Sequence, residues 1–218
     1  MKFSVIYKPT NLFSLKESNS TNSGAKSLLI PSPYSIKMAL FNQAITIDGK
    51  DIFEAKKSKE FSFIKDATIE YRVSGSFCVN NCFVTIQSLR EGTYRGKPSF
   101  REYIYLSDNI EIIFDVKSKE AKQYLQKYLY RINYFGKRGC FFQFVGYRDN
   151  PVEPNVKEFD AYDFSPGVLQ EFDDISSKAD FNNIDNFNAA NAKRDKKILV
   201  IPVINKNSSK SYTHFRCY

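Results

Sequence analysis

Histidine occurs once in this chain, at His214, and tryptophan not at all. A single histidine removes most zinc hydrolase sites and most histidine-dependent triads. Cysteine is scarce as well. Cys78, Cys82, Cys140 and Cys217 are too few in 218 residues for a disulfide framework, so reduced thiols are expected. Cys78 and Cys82 could share a face of a strand, but the other two lie far off in sequence; they read as small buried hydrophobes, and no metal site is expected. No apolar run approaches about 18 residues, which excludes a membrane-spanning helix. The opening MKFSVIYKPT has too short an apolar run for a secretory signal, so a cytoplasmic protein is expected. Phosphate-loop, nucleophile-elbow, zinc-protease and calcium-loop motifs are all missing. Asp173 and Asp174 sit in a polar stretch with nothing to raise a pKa and read as solvated charge. No cofactor is expected.

Aromatic residues are plentiful, with 20 Phe and 14 Tyr, enough to fill a core and leave rings for stacking. With 42% hydrophobic and 26% charged residues the composition suits one globular domain with an appendage. The net charge of +8 is unevenly distributed. Residues 86–148 carry 12 basic and 6 acidic side chains, residues 149–192 carry 2 and 10, and residues 193–218 carry 7 and 1. A phosphate-binding surface is therefore expected from the central block and the C-terminal tail, while the acidic block faces a protein partner or solvent.

The periodicities give an ordered set of elements. Residues 3–8 form a β-rich run, and the Ser- and Asn-rich stretch after Pro9 reads as a mobile loop. Ser32-Pro33 is a helix start, followed by Ile36, Leu40, Ala44 and Ile47 on one stripe. Lys56, Lys57 and Lys59 read as a basic connector. Residues 68–74 and 77–89 are strand-like, and REGTYRGKPS (residues 90–99) reads as the tip of a long hairpin. Residues 103–106 and 110–116 flank a Ser-Asp-Asn turn and are expected to pair with each other. Ser118 caps an amphipathic helix ending near Asn133, and residues 140–145 read as a buried strand. The acidic block is expected to be irregular, and residues 198–204 an edge strand because of Pro202. This order predicts an α+β, ferredoxin-like (RRM-like) β-α-β-β-α-β domain over residues 1–148. A long thumb hairpin is inserted near residues 85–105, and residues 149–218 form a short C-terminal extension.

Three features point to nucleic acid. FGKRG (residues 135–139) places Lys137 and Arg138 between Gly136 and Gly139, so that backbone amides and two cations can approach a phosphate; an ordinary helix end carrying surface charge is the bland alternative. The hairpin tip mixes Arg90, Arg95, Lys97 and Arg101 with Tyr94, as single-strand binders do, or is simply a solvated basic loop. Lys37 lies near the start of the first helix, where a phosphate could meet both the dipole and an ammonium. His214 could serve as a general base in a metal-independent ribonuclease, but it lies at the chain's tail, where order is uncertain.

IPSPYSIKMALFNQAI, FREYIYL, INYFGKRGCFFQF and the closing SYTHFRCY together resemble the Cas five family, ferredoxin-like subunits of type I CRISPR surveillance (Cascade) complexes, closest to the type I-A and I-B branch. The resemblance implies a subunit that grips the 5′ handle of the guide RNA. It also implies contacts with the backbone subunit and the large subunit, and with target DNA only indirectly. FGKRG matches the family's glycine-rich loop, residues 89–100 its thumb, and Lys37 its RNA-facing helix. One branch, in type I-C systems, cuts precursor RNA with Tyr, Lys and His. The body of this fold holds no histidine, so a non-catalytic subunit is expected, with a metal-independent endoribonuclease as the alternative. A single-stranded RNA binder outside CRISPR systems, or a subunit serving a transposon, would carry the same residues.

Overall fold

The computed structural model describes residues 1–17, 24–54, 58–90, 92–163, 165–184 and 192–218. Lys56 and Lys57 lie outside these. Alternation along the first strand, β1 (Lys2–Pro9), buries Phe3, Val5 and Tyr7 completely on one face. Helix α1 (Pro33–Asp48) starts where Ser32 accepts a hydrogen bond from the Ser35 amide at 3.2 Å, with Pro33 in the first turn. A second helix, α2 (Lys59–Lys65), replaces the expected connector. Ser58 caps it, and Phe61 stacks on Phe41 of α1 at 5.4 Å. The lysine-rich run before it concealed this short helix.

Strands β2 (Thr68–Val73) and β5 (Ile110–Asp115), helix α3 (Lys119–Leu129) and strand β6 (Phe142–Arg148) complete the domain. The four strands form one antiparallel sheet in the order β2-β5-β1-β6. That is the split β-α-β arrangement of a ferredoxin-like fold, and the α+β class is as the sequence predicts. Ser118 caps α3, which buries Ala121, Leu125, Tyr128 and Leu129 and ends four residues short of Asn133. Strand β6 begins two residues later than expected and is only partly buried, because it is an edge strand of the sheet. The sheet face away from the buried rings is polar. Ser4 donates to Glu111 at 2.5 Å, and Arg148 reaches the other oxygen of Glu111 at 2.9 Å.

Between β2 and β5 the chain leaves the sheet as a hairpin of β3 (Ser76–Arg90) and β4 (Thr93–Leu106). Pairing runs unbroken from Phe77–Leu106 to Arg90–Thr93, so only residues 91 and 92 separate the strands. Most of the expected tip is thus strand; Gly96 and Pro98 are accommodated because, among the described residues, β4 has no partner along most of its outer edge. Strands β4 and β5 do not pair, contrary to the expected turn. They belong to different sheets, and the chain crosses between the two at Gly75 and again at Ser107. A Cβ at Gly75 would lie 2.6 Å from Ser107 Oγ and 2.7 Å from Asp108 Cβ, so the crossing needs glycine.

The acidic block contains a regular strand, β7 (Val168–Ile175), paired antiparallel with β8 (Arg194–Ile201). Strand β8 is central, flanked by β7 and by the short strand Lys157–Glu158, and Pro202 separates it from β9 (Val203–Ser208). Strand β10 (Tyr212–Cys217) joins β9 to the base of the hairpin by pairing with β3. The loop after β1 is pinned at its base by two hydrogen bonds between Phe13 and Ile104, of 3.0 and 2.7 Å; residues 18–23 of it lie outside the described ones.

Candidate nucleic-acid interface

The glycine loop is an exposed strip held by buried anchors. Phe135 is fully buried, edge-on to Tyr7 and to Phe142 at 5.1 Å each. Cys140 is also buried, and its thiol donates to the Ser14 carbonyl at 3.3 Å. Between the anchors Gly136 and Gly139 take φ of 70° and 99°, a region side chains other than glycine rarely adopt. Lys137 and Arg138 are exposed and form no ion pair among the described residues. Hydrophobic burial on either side thus fixes a loop whose cations face solvent.

Beside the loop lies a cleft of about 650 Å³, walled by α1 and by residues 14–17. Lys16, Asn42, Gly136 and Lys137 line it together with Ser35, Met38, Ala39, Tyr34, Asp173 and Arg194. The Arg194 guanidinium lies 4.0 Å over the Tyr34 ring and bonds Asp173 at 3.0 Å. Partial burial, reinforced by Glu102 and Glu171, pushes the Glu17 carboxyl above its ordinary pKa against the opposing pull of Lys26. The sequence offered a helix stripe and a glycine loop but no sign that Arg194, 160 positions after Tyr34, lines the same cleft.

The hairpin sorts its side chains by face. Cross-strand partners share a face, so Phe83, Leu89, Tyr94, Pro98 and Phe100 line one side, while Arg95, Lys97 and Arg101 line the other. Phe83 is 83% exposed, Tyr94 72% and Leu89 62%. The expected mixture of cations with Tyr94 is therefore corrected: a period of two places the ring and the cations on opposite faces. Arg95, Lys97 and Arg101 make no ion pair among the described residues. Arg90 pairs with Thr93 in backbone register, and its side chain lies outside the described ones.

Lys37 does not serve as expected. It is 2% exposed, its ammonium donates to the Lys65 carbonyl at 2.8 Å and pairs with Asp174 at 2.7 Å, and burial lowers its pKa against the pull of Asp174. The reason is positional: Lys37 lies one turn inside α1, on the face turned to β7. Asp174 is correspondingly not solvated charge, and neither is Asp173. Three cations of the basic tail are held in the same way: Arg194 pairs with Asp173, Lys196 with Glu171 at 2.7 Å and Lys197 with Glu158 at 3.1 Å.

His214 sits within β10, opposite Cys78 on β3 and Asn207 on β9, in an ordered strand, and it does not line the cleft. Cys78 and Cys82 share a face of β3 but stand roughly 13 Å apart along it. Burial pushes the Cys217 thiol up to about 11. Among the described residues no cluster of three potential metal ligands forms, and no helix is long and apolar enough to cross a membrane.

No protein-family profile matches the chain, and no curated protein matches it. Several solved structures resemble it. A CRISPR protein from Archaeoglobus fulgidus is 12% identical, with a TM-score of 0.47 over 100% of this chain and 92% of that one. A chain of a CRISPR RNA-guided surveillance complex is 11% identical, with a TM-score of 0.43 over 91% and 88%. A chain of the Csm3-Csm4 subcomplex of a type III-A CRISPR-Cas interference complex is 14% identical, with a TM-score of 0.42 over 100% and 93%. These neighbours are CRISPR proteins; TM-scores below one half at such identities carry no role across to this chain.

Proposed function

We propose that this chain is a non-catalytic subunit of a CRISPR ribonucleoprotein, a Cas five-like component of Cascade that holds the 5′ handle of the guide RNA. One observation carries the reading. Arg95, Lys97, Arg101, Lys137 and Arg138 form no ion pair among the described residues, and they sit on two elements, the inserted hairpin and the glycine loop. Cations held this way suit a polyphosphate backbone, gripped without regard to sequence. The long inserted hairpin agrees with the thumb implied by the resemblance, and its exposed Phe83, Leu89 and Tyr94 suit contact with a neighbouring backbone subunit. The large subunit, too, docks on this body, and target sequence is read by the guide. The ribonuclease alternative has less support, because His214 is built into a strand with neither Lys nor Tyr directly opposite it.

The test is incubation of the purified protein with labelled precursor repeat RNA in EDTA, scored for retention and for cleavage. Retention of the 5′ handle without cutting is expected. Specific cutting that His214→Ala abolishes would replace this reading with the ribonuclease.

A further inference from the structure

We infer that the outer face of the sheet formed by β7 and β8, with the turn that precedes β7, docks a protein whose surface offers a ring-accepting pocket edged by Lys or Arg. The inference rests on the reading of this chain as one subunit of a larger complex. It concerns a surface apart from the glycine loop and the hairpin, and one that RNA avoids.

Strand β7 turns every second side chain to the body. Gln170 accepts from the Leu29 amide at 2.8 Å, Phe172 meets the Tyr71 ring, and Asp174 holds Lys37. Alternation sends Leu169 and Glu171 to the other face, and register adds Val200 and Ile198 of β8 to it. The short strand Lys157–Glu158 pairs with the other edge of β8. The Phe159 amide continues that pairing by donating to the Ile198 carbonyl at 2.8 Å, which puts Phe159 on the same outer face. Leu169, Phe159 and Ile198 are each about half exposed. On a sheet face turned to water such positions ordinarily carry polar side chains. Three neighbouring apolar ones mark a face that is covered in the assembled state.

The turn after Phe159 is built in advance. Asp160 accepts the Tyr162 amide on its side chain at 2.9 Å and the Asp163 amide on its carbonyl at 3.3 Å. Tyr162 therefore stands at the tip of a formed turn, 99% exposed. A tyrosine so placed offers a large contact area with few torsions to fix, as interface anchors do. Charge selects the partner. Against one cation, Lys157, residues 157–163 carry Glu158, Asp160 and Asp163. Lys197 takes Glu158, whereas Asp160 and Asp163 form no ion pair among the described residues. A phosphate chain is repelled here, and a rim of Lys or Arg around a pocket for Tyr162 is attracted. A second copy of this chain docked face to face would set the same carboxylates against each other, so the partner is a different protein.

The experiment replaces Tyr162 with the photo-reactive residue p-benzoylphenylalanine in a tagged chain expressed in its native host cells. The assembled complex is isolated and irradiated, and the cross-linked peptides are read by mass spectrometry. One adduct is expected, to a different protein, on a peptide with Lys or Arg within a few residues of the attachment point. Asp160→Asn with Asp163→Asn keeps the side-chain acceptor that shapes the turn and removes both charges. It should lower the adduct severalfold and leave RNA binding by the isolated chain unchanged. An adduct to a second copy or to RNA overturns the docking surface and leaves the RNA-binding reading standing. So does an adduct that the double variant does not reduce, or the lack of any protein adduct in a complex that does assemble. A complex that forms the expected adduct but holds no RNA overturns the RNA-binding reading and leaves the surface standing. A chain that assembles with nothing overturns both.

Discussion

Two stretches of this chain are similarly basic in sequence and opposite in use. On β8, Arg194, Lys196 and Lys197 each meet an acidic partner from the segment before it, and Lys37 is drawn into the same arrangement by Asp174. On β4, Arg95, Lys97 and Arg101 meet none among the described residues. The charge of a segment therefore says little about phosphate binding until the partners are known. Three carboxylates of the acidic block, Glu158, Glu171 and Asp173, are the counterpart of β8, whereas the cations of the hairpin and the glycine loop have no such partner among the described residues.

The contrast can be broken from either side. The largest effect is expected where a charge is buried. Asp174→Ala leaves the Lys37 ammonium without its carboxylate and should cost about 3 kcal/mol or more of folding stability. Denaturant melts would show this, and RNA affinity measured well below the melting temperature should be unaltered. Next comes the junction that holds the hairpin to the body. Gly75→Ala forces a side chain onto Ser107 and Asp108 at a φ of 77° and should cost about 2 kcal/mol. A thermal melt gives the answer, and an unchanged Tm would mean that the crossing is looser than described. The smallest effect belongs to the half-exposed pairs on β8. Lys196→Gln with Lys197→Gln should lower stability by less than about 1 kcal/mol. A larger loss would mean that the ladder holds β7 in place more firmly than solvent-screened pairs do.

Much of this architecture was legible in the sequence because it follows from local chemistry. Ser32-Pro33 and Ser118 announced their helices, and the strand-helix order of the ferredoxin-like domain followed from periodicity. What escaped depended on partners distant in sequence. Strand β7, VLQEFDDI, carries three carboxylates in eight residues, and each is met by a partner distant in sequence: Glu171 by Lys196, Asp173 by Arg194 and Asp174 by Lys37. The face of α1 that Lys37 occupies is set by where β7 packs. The separation of Tyr94 from the hairpin cations was implicit in the alternation. It was hidden because Gly96 and Pro98 suggested a turn where the strand continues. Of the candidate site, the glycine loop and the basic hairpin stood out in the sequence by their composition, and Arg95, Lys97, Lys137 and Arg138 are exposed while Arg101 is half-buried; Arg194 and the cleft were not foreseen, since nothing local links residue 194 to helix α1.

The most direct test of the contrast is the salt dependence of binding to a single-stranded RNA for three proteins: the unmodified chain, Arg95→Gln/Lys97→Gln/Arg101→Gln/Lys137→Gln/Arg138→Gln, and Lys196→Gln/Lys197→Gln. Each lost phosphate contact should flatten the slope of log K against log salt by about 0.7. The five-fold substituted protein is expected to lose up to about 3.5 from its slope and most of its affinity, while the β8 double variant keeps both. Equal slopes for all three, or a loss confined to the β8 variant, would contradict the account.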